Sequence, residues 1–181
     1  GVINDETKRL RFQVEKVLQM SMFERQKTMM KLNTVDVNGI ITSVMSTFKL
    51  KVEKYGGTIE ADLEAEDAWV KVDEMHFTNV IFNLLDNAVK YTPAGGKITV
   101  TVEEWEMYAE IKVADTGKGI SESNQAAIFR RFYREEEVHE QPGVGIGLYL
   151  AREIIAQQGG YIKVVSELGS GSAFSIMLPL R

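Results

Sequence analysis

The sequence predicts a two-layer α/β sandwich, with helices on one face of a mixed sheet, preceded by a long helix. Three observations lead there. Residues 2 to about 32 contain neither Pro nor Gly and repeat apolar residues at helical spacing. Strand-like runs then follow, mostly adjacent in the chain, with helical stretches interspersed. Within them, 97–104 and 108–114 alternate so regularly between apolar and polar residues that they read as one hairpin.

Leu10, Val14, Val17, Leu18 and Met22 recur at i, i+4, i+7, i+8 and i+12, one face of a helix. Such a helix either packs on its own domain or forms half of a helical hairpin that needs a partner. At about 1.5 Å per residue it would reach roughly 45 Å and overhang a small domain, which favours the hairpin. The division expected is therefore 1–33 as this helix and 34–181 as the main domain.

After Asn33, residues 35–37 make a short strand candidate, and a helix follows from about Asn38 to Tyr55, closed by Gly56-Gly57. Strand-like runs at 58–63 and 67–72 lead to Asp73, a capping residue for a helix reaching about Tyr91. Pro93 and Gly95-Gly96 end it, and the alternating pair comes next. Residues 115–145, rich in Gly and charge, form a long connection with room for one short helix. Loops that long in compact domains are usually functional. A helix over 146–158, the turn Gly159-Gly160 and strands near 161–166 and 172–178 complete the fold.

Composition removes several function classes. No cysteine is present, which excludes a disulfide scaffold, a thiolate zinc site and a cysteine nucleophile. Two histidines, His76 and His139, are too few for a multi-histidine metal site. The net charge of −5 is no footprint of nucleic acid or of a membrane surface. No apolar run approaches the roughly 18–20 residues of a membrane span, and the N-terminus lacks a signal-peptide layout. Because the helical pattern is already under way at Gly1, the parent chain is expected to extend upstream and to reach a membrane only through segments outside these residues.

At about 100° per residue, Phe77, Val80, Ile81, Leu84, Leu85, Ala88 and Val89 share half of the 73–91 helix. Asn83, Asn87, Lys90 and Tyr91 gather on the other side. That second face is either an ordinary solvated surface or a magnesium–phosphate surface. Amide oxygens are hard ligands suited to Mg²⁺, and an ammonium is a compact charge for phosphate.

Three glycine clusters follow: 115–120 (Asp-Thr-Gly-Lys-Gly-Ile), 143–148 (Gly-Val-Gly-Ile-Gly-Leu) and 169–172 (Gly-Ser-Gly-Ser). Glycine lets backbone approach a ligand closely, and the second cluster opens a helix whose first amides suit an anion. Taken singly, each is by default a turn. The run G-x-G-x-G is neither a P-loop nor a dinucleotide fingerprint.

In order, Asn83-Leu-Leu-Asp-Asn87-Ala-Val-Lys90-Tyr91-Thr92, Asp115-x-Gly117-x-Gly119, Ile128-Phe129-x-x-Phe132-Tyr133-Arg134, Gly143-x-Gly145-x-Gly147-Leu148 and Gly169-x-Gly171-Ser172-x-Phe174 resemble the N, G1, F, G2 and G3 boxes of histidine kinase catalytic domains. All five stand in the family's order across residues 34 to 180. Together they are far more specific than any one alone.

The resemblance implies the GHKL (Bergerat) ATP-binding fold, with ATP and Mg²⁺ as ligands. It implies that Asn87 holds Mg²⁺ while Asn83, Lys90 and Tyr91 line the phosphate side. Asp115 would accept a hydrogen bond from the adenine amino group, with Gly117, Gly119 and Ile120 shaping the base pocket. Tyr133 and Arg134 of the F box would join the nucleotide set, Arg134 reaching the terminal phosphates. Residues 135–145 would form an ATP lid running into Gly143, Val144, Gly145, Ile146, Gly147 and Leu148, and Ser172 would add a hydroxyl. Closing a lid excludes water from the phosphates. Departures from the family pattern are small: Val144 and Ser172 stand where Thr is usual, Ile146 where Leu is.

Hydrolase relatives of this fold place Glu four residues before the magnesium asparagine. Here that position is Asn83, which cannot take a proton, and phosphoryl transfer is favoured over hydrolysis. Residues 1–33 resemble the second helix of the family's dimerisation hairpin, implying a homodimer in the full-length kinase. The phosphorylated histidine of the family lies on the first hairpin helix, and no histidine precedes His76. His139 falls in the lid, and His76 is expected to be a solvated surface residue. The resemblance further implies a response regulator receiver domain as partner and a cytoplasmic position beneath a membrane-anchored bacterial sensor. Two other readings stay beside the kinase: a nucleotide-dependent switch and an ATPase clamp. Intact Asn87, Asp115 and glycine clusters argue against the first, and Asn83 and the short domain against the second.

Overall fold

Asp36 and Asp73 set where the first two helices of the main domain begin. In the computed structural model, which describes residues 6, 7, 10, 11, 14, 18, 30–65, 68–129 and 147–180, each carboxylate caps a helix. Asp36 Oδ1 accepts the Asn38 N–H at 3.1 Å, opening α1 (Val37–Lys54). Asp73 Oδ1 accepts the His76 N–H at 3.1 Å, opening α2 (Glu74–Tyr91). Both satisfy amides that have no partner within the helix. The short α3 (Glu122–Gln125) and α4 (Gly147–Gln157) follow.

Seven strands accompany them: β1 (Asn33–Asp36), β2 (Thr58–Leu63), β3 (Trp69–Val72), β4 (Lys97–Glu104), β5 (Tyr108–Asp115), β6 (Tyr161–Glu167) and β7 (Gly171–Pro179). The main sheet has the order β2-β4-β5-β7-β6 and is mixed, since β2 runs parallel to β4 and the other pairs are antiparallel. β1 and β3 stand apart as a two-stranded antiparallel sheet, touching the C-terminal end through a Val70–Leu180 bridge. Most boundaries lie within a residue or two of those the sequence predicts, but Val37 is already helical and β3 starts only at Trp69.

Alternation sorts the sheet into two faces. Ile98, Val100, Val102, Ala109, Ile111, Val113, Ile176 and Leu178 are buried. They form one core with Ile41 and Phe48 of α1, Phe77, Ile81, Leu84 and Leu85 of α2, and Ile155 of α4. Helices thus cover one face, as predicted. The other face carries Thr99, Thr101, Lys112 and Lys163.

Two features depart from the sequence reading or refine it. His76 is buried, only 8% exposed, where a solvated position was expected. The first turn of α2 is covered from two sides. The Lys31 N–H donates to Asp73 Oδ2 at 2.9 Å, and the Asp73 N–H donates to Gln158 Oε1 at 2.6 Å. Near the N-terminus Glu6, Thr7, Leu10, Arg11, Val14 and Leu18 are helical and exposed. Leu10, Val14 and Leu18 keep more than half of their surface in solvent, so these three side chains are not packed on their own domain. Val17 and Met22 lie outside the described residues.

Candidate functional site

α2 presents the two faces its sequence encodes. Phe77, Val80, Ile81, Leu84, Leu85 and Ala88 are buried, and Val89 is only partly buried; Asn83, Asn87 and Lys90 are half-exposed, whereas half-exposed Tyr91, seven residues on from Leu84, ends the buried face rather than standing across from it as the sequence reading had it. Lys90 Nζ lies 3.0 Å from Asp86 Oδ2, one turn back. A pair this open to solvent is worth only about 0.3–0.5 kcal/mol, so the ammonium exchanges partners at little cost.

The C-terminal end of that helix meets the Asp115 loop. The Tyr91 carbonyl is pressed so closely on Gly117 that a Cβ there would collide with it. Lys118 Nζ sits 5.4 Å from the centre of the Tyr91 ring, within range of a cation–π attraction. The C-terminal end of α2 and the aspartate–glycine loop therefore meet at Tyr91.

Asp115 closes β5 and is paired in register with Ser172 on β7. Its Oδ1 accepts the Gly117 N–H at 2.8 Å. Burial raises its pKa above the usual carboxylate value, a rise that amide donation from Gly117 and Ser172 opposes without cancelling. A half-buried carboxylate held by its own loop is suited to accept a hydrogen bond from a ligand amine.

The glycines explain how the loop is shaped. Gly119 has φ +78° and lies against the Glu167 carbonyl, while Gly171 has φ +90° and lies against the Asp115 carbonyl. No side chain fits at either position. The 115–120 loop is thus seated directly on the β6–β7 turn. The Thr116 N–H donates to the Lys97 carbonyl at 3.1 Å and the Lys97 N–H to Thr116 Oγ1 at 2.9 Å, fixing the other side.

Of the residues singled out from sequence, Tyr91, Asp115, Gly117, Gly119, Ile120 and Ser172 are brought together here, with Asn83, Asn87 and Lys90 on the adjoining helix face. Gly147 opens α4, and Leu148 packs partly against the core. Tyr133, Arg134, Gly143, Val144, Gly145, Ile146 and the 135–145 segment lie outside the described residues. From the F box, Phe129 is buried edge-on to Phe174 with ring centres 6.3 Å apart.

Sequence reasoning missed three neighbours. Lys118 stands over Tyr91. Ser166 and Gln125 hydrogen-bond the loop at Ile120. Ser166 was findable, because alternation along β6 puts it on the side of Ile162 and Val164, where a hydroxyl must find a partner. Gln125, in a stretch without periodicity, gave no such signal. A cleft of about 380 Å³ lined by Thr34, Asp36, Ser43, Glu74 and Thr78 lies at the N-terminal end of α2, away from this site. Among the described residues no group of three or more His, Asp or Glu side chains is placed to hold a metal.

The candidate site is thus a carboxylate-bearing glycine loop, seated on the β6–β7 turn of an α/β sandwich beside the end of an amide-bearing helix. Residues 72–181 match the family model described as histidine kinase-, DNA gyrase B- and HSP90-like ATPase, and the chain belongs to that family. It is 50% identical over 184 residues to the sensor protein RprX of Bacteroides fragilis (strain YCH46), covering 99% of this chain and 36% of that one. It is 30% identical to the sensor histidine kinase WalK of Bacillus subtilis (strain 168), covering 99% of this chain and 30% of that one. The chain thus spans about a third of the length of these relatives. Among solved structures it resembles the catalytic domain of histidine kinase ThkA, with TM-score 0.75 and 28% identity over 83% of this chain and 99% of that one. ThkA in complex with response regulator protein TrrA matches over 99% of this chain and 50% of that one, with TM-score 0.78 and 25% identity. The fold and the relatives are those of sensor histidine kinase catalytic domains.

Proposed function

We propose that this chain binds Mg-ATP and transfers its terminal phosphoryl group to a histidine of the parent kinase, from which a response regulator aspartate receives it. The observation that carries the reading is the meeting of Tyr91 and Gly117, which joins the end of the asparagine-bearing helix to the aspartate–glycine loop. Asp115 takes the adenine amino group, and Gly117, Gly119 and Ile120 shape the base pocket. Asn83, Lys90 and Tyr91 face the phosphates, and Arg134 reaches their far end.

Asn87 fits a divalent cation by chemistry and place: its amide oxygen is hard, half-exposed, and one turn from both Asn83 and Tyr91. Mg²⁺ held there would neutralise phosphate charge during transfer. The chain's own part is orientation. Asn83 positions without abstracting a proton, which favours attack by a histidine nitrogen over attack by an activated water. The lone pair of the unprotonated imidazole nitrogen forms the N–P bond as the bond from the γ-phosphorus to the bridging oxygen breaks, ADP departs with that oxygen, and the other imidazole nitrogen loses its proton to water.

Residues 1–33 are proposed as the second helix of a dimerisation hairpin, since Leu10, Val14 and Leu18 offer an apolar stripe to a partner helix. Residues 34–181 are the catalytic domain, with 135–145 as its lid. The assembly proposed is a homodimer on the cytoplasmic side of a membrane-anchored sensor. Among the described residues no helix is long and apolar enough to cross a membrane.

Thermal denaturation with Mg-ATP tests binding. At a hundredfold excess over Kd the gain is about 2.7 kcal/mol, or roughly 5–10 °C for a chain of this size. Asp115→Ala should remove it. Extended by its upstream helix, the protein should then acquire acid-labile, base-stable phosphate. Intact ATP binding without such labelling would instead identify a nucleotide switch.

A further inference from the structure

The loop bearing Asp115 is held by two polar side chains, Ser166 and Gln125, for which the phosphoryl-transfer reading has no role. Ser166 Oγ accepts the Ile120 N–H at 2.7 Å, donates to the Gly171 carbonyl at 2.8 Å and lies 2.8 Å from Ser172 Oγ. A hydroxyl has one proton and two lone pairs. With the proton on Gly171, the lone pairs serve Ile120 and Ser172, so the Ser172 hydroxyl is the donor between the two serines. All three valences of Ser166 are occupied.

Gln125 completes the arrangement. Its Nε2 donates to the Ile120 carbonyl and to the Ser166 carbonyl, each at 2.9 Å. Ile120 is therefore gripped at both its N–H and its C=O. The Gly169 N–H adds a bond to the Lys118 carbonyl at 2.8 Å. Both side chains are half-buried. They lie 41 residues apart in sequence, and each bonds a loop whose opposite end carries Asp115.

We infer that Ser166 and Gln125 are positioning residues for adenine recognition: together they clamp Ile120 onto the β6–β7 turn and so fix the base-binding loop. The inference rests on the reading of Asp115 and its loop as the adenine site. Neither residue touches the nucleotide in this account. Each acts through the backbone between Gly117 and Ile120.

The test measures ADP affinity by titration calorimetry and amide hydrogen exchange at Ile120, in wild type, Ser166→Ala, Gln125→Ala and Ser166→Thr. Ser166→Ala leaves the half-buried Ile120 amide without its acceptor, and ADP should bind about tenfold more weakly, with faster exchange at Ile120. Gln125→Ala should weaken binding in the same direction. Ser166→Thr keeps the hydroxyl on an edge strand and should restore both affinity and protection, which a general loosening of the fold would not. Unchanged ADP affinity in Ser166→Ala beside a wild type that binds would overturn the clamp and leave the adenine site standing. Weak binding that threonine fails to restore would also overturn it. A wild type that binds no adenine nucleotide would overturn the adenine site itself, and the clamp with it.

Discussion

Gly119 packs against the carbonyl of Glu167 with no room for a Cβ, joining the loop after β5 to the turn between β6 and β7. The contact explains why two glycine clusters nearly fifty residues apart belong to one site. Each glycine makes space for the other segment's backbone.

Gly119→Ala should therefore be among the costly single-methyl changes in this protein. Its φ of +78° opposes an L side chain, and the added carbon meets backbone rather than a flexible side chain. The expected loss is roughly 2–4 kcal/mol of unfolding free energy, combining left-handed strain with overpacking. Urea denaturation gives the value, and a loss below about 0.5 kcal/mol would contradict the packing described.

Asp115→Asn should separate stability from binding. The wild-type carboxyl has a raised folded pKa, chiefly from burial, so its contribution to stability is fully present below the unfolded value and lost as pH rises through the folded one. At neutral pH the charge is a burden, and the asparagine variant should be at least as stable as wild type while binding ADP more than tenfold less tightly. The stability difference should fade as pH falls towards and below the ordinary carboxylate range. Paired melting and ADP titrations from pH 4 to 8 check both halves.

Asp73 shows the opposite sign. Burial alone would raise its pKa, but amide donation from His76 and Lys31, with the nearby His76 charge, outweighs it and lowers the value. Its stabilisation is present above the unfolded pKa and is lost as pH falls through the folded one. Asp73→Ala should cost about 1–3 kcal/mol near neutrality, through the lost cap and the unpaired Lys31 amide. The gap between the two proteins should close below the ordinary carboxylate range, as urea midpoints at several pH values would reveal.

Much of this was legible in the sequence because the signals are local. Asp73 three residues before His76, the seven apolar positions of α2 and the alternation from Lys97 to Asp115 are patterns a short window contains. What escaped was set by distant partners. β1 pairs with β3 instead of joining the main sheet, a choice made 35 residues downstream. His76 is buried beside Asp73, whose bonds run to Lys31 and Gln158, and neither of these is near it in sequence. Gln125 bonds the backbone of Ser166, 41 positions on. The ordered glycine boxes did mark the site, because each needs a small residue where backbone meets backbone.

The apolar stripe on the N-terminal helix yields a prediction independent of nucleotide. In the protein extended through its upstream helix, Val14→Glu should lower the dimer fraction in sedimentation equilibrium while ADP affinity stays within twofold. Val14 is 56% exposed, so the change introduces no buried charge within the subunit. An unchanged dimer fraction would show that this face is not the contact.

The proposal that Asn87 and Asp115 serve a single nucleotide is tested most directly by following backbone amide resonances while Mg-ADP is added. The account predicts that Asn83, Asn87 and Tyr91 shift together with Gly117, Gly119 and Ile120 along one saturation curve. Replacing Mg²⁺ by EDTA should diminish the shifts on the helix more than those in the loop. Shifts confined to one of the two segments, or gathered instead around the distant cleft at Asp36 and Glu74, would contradict it.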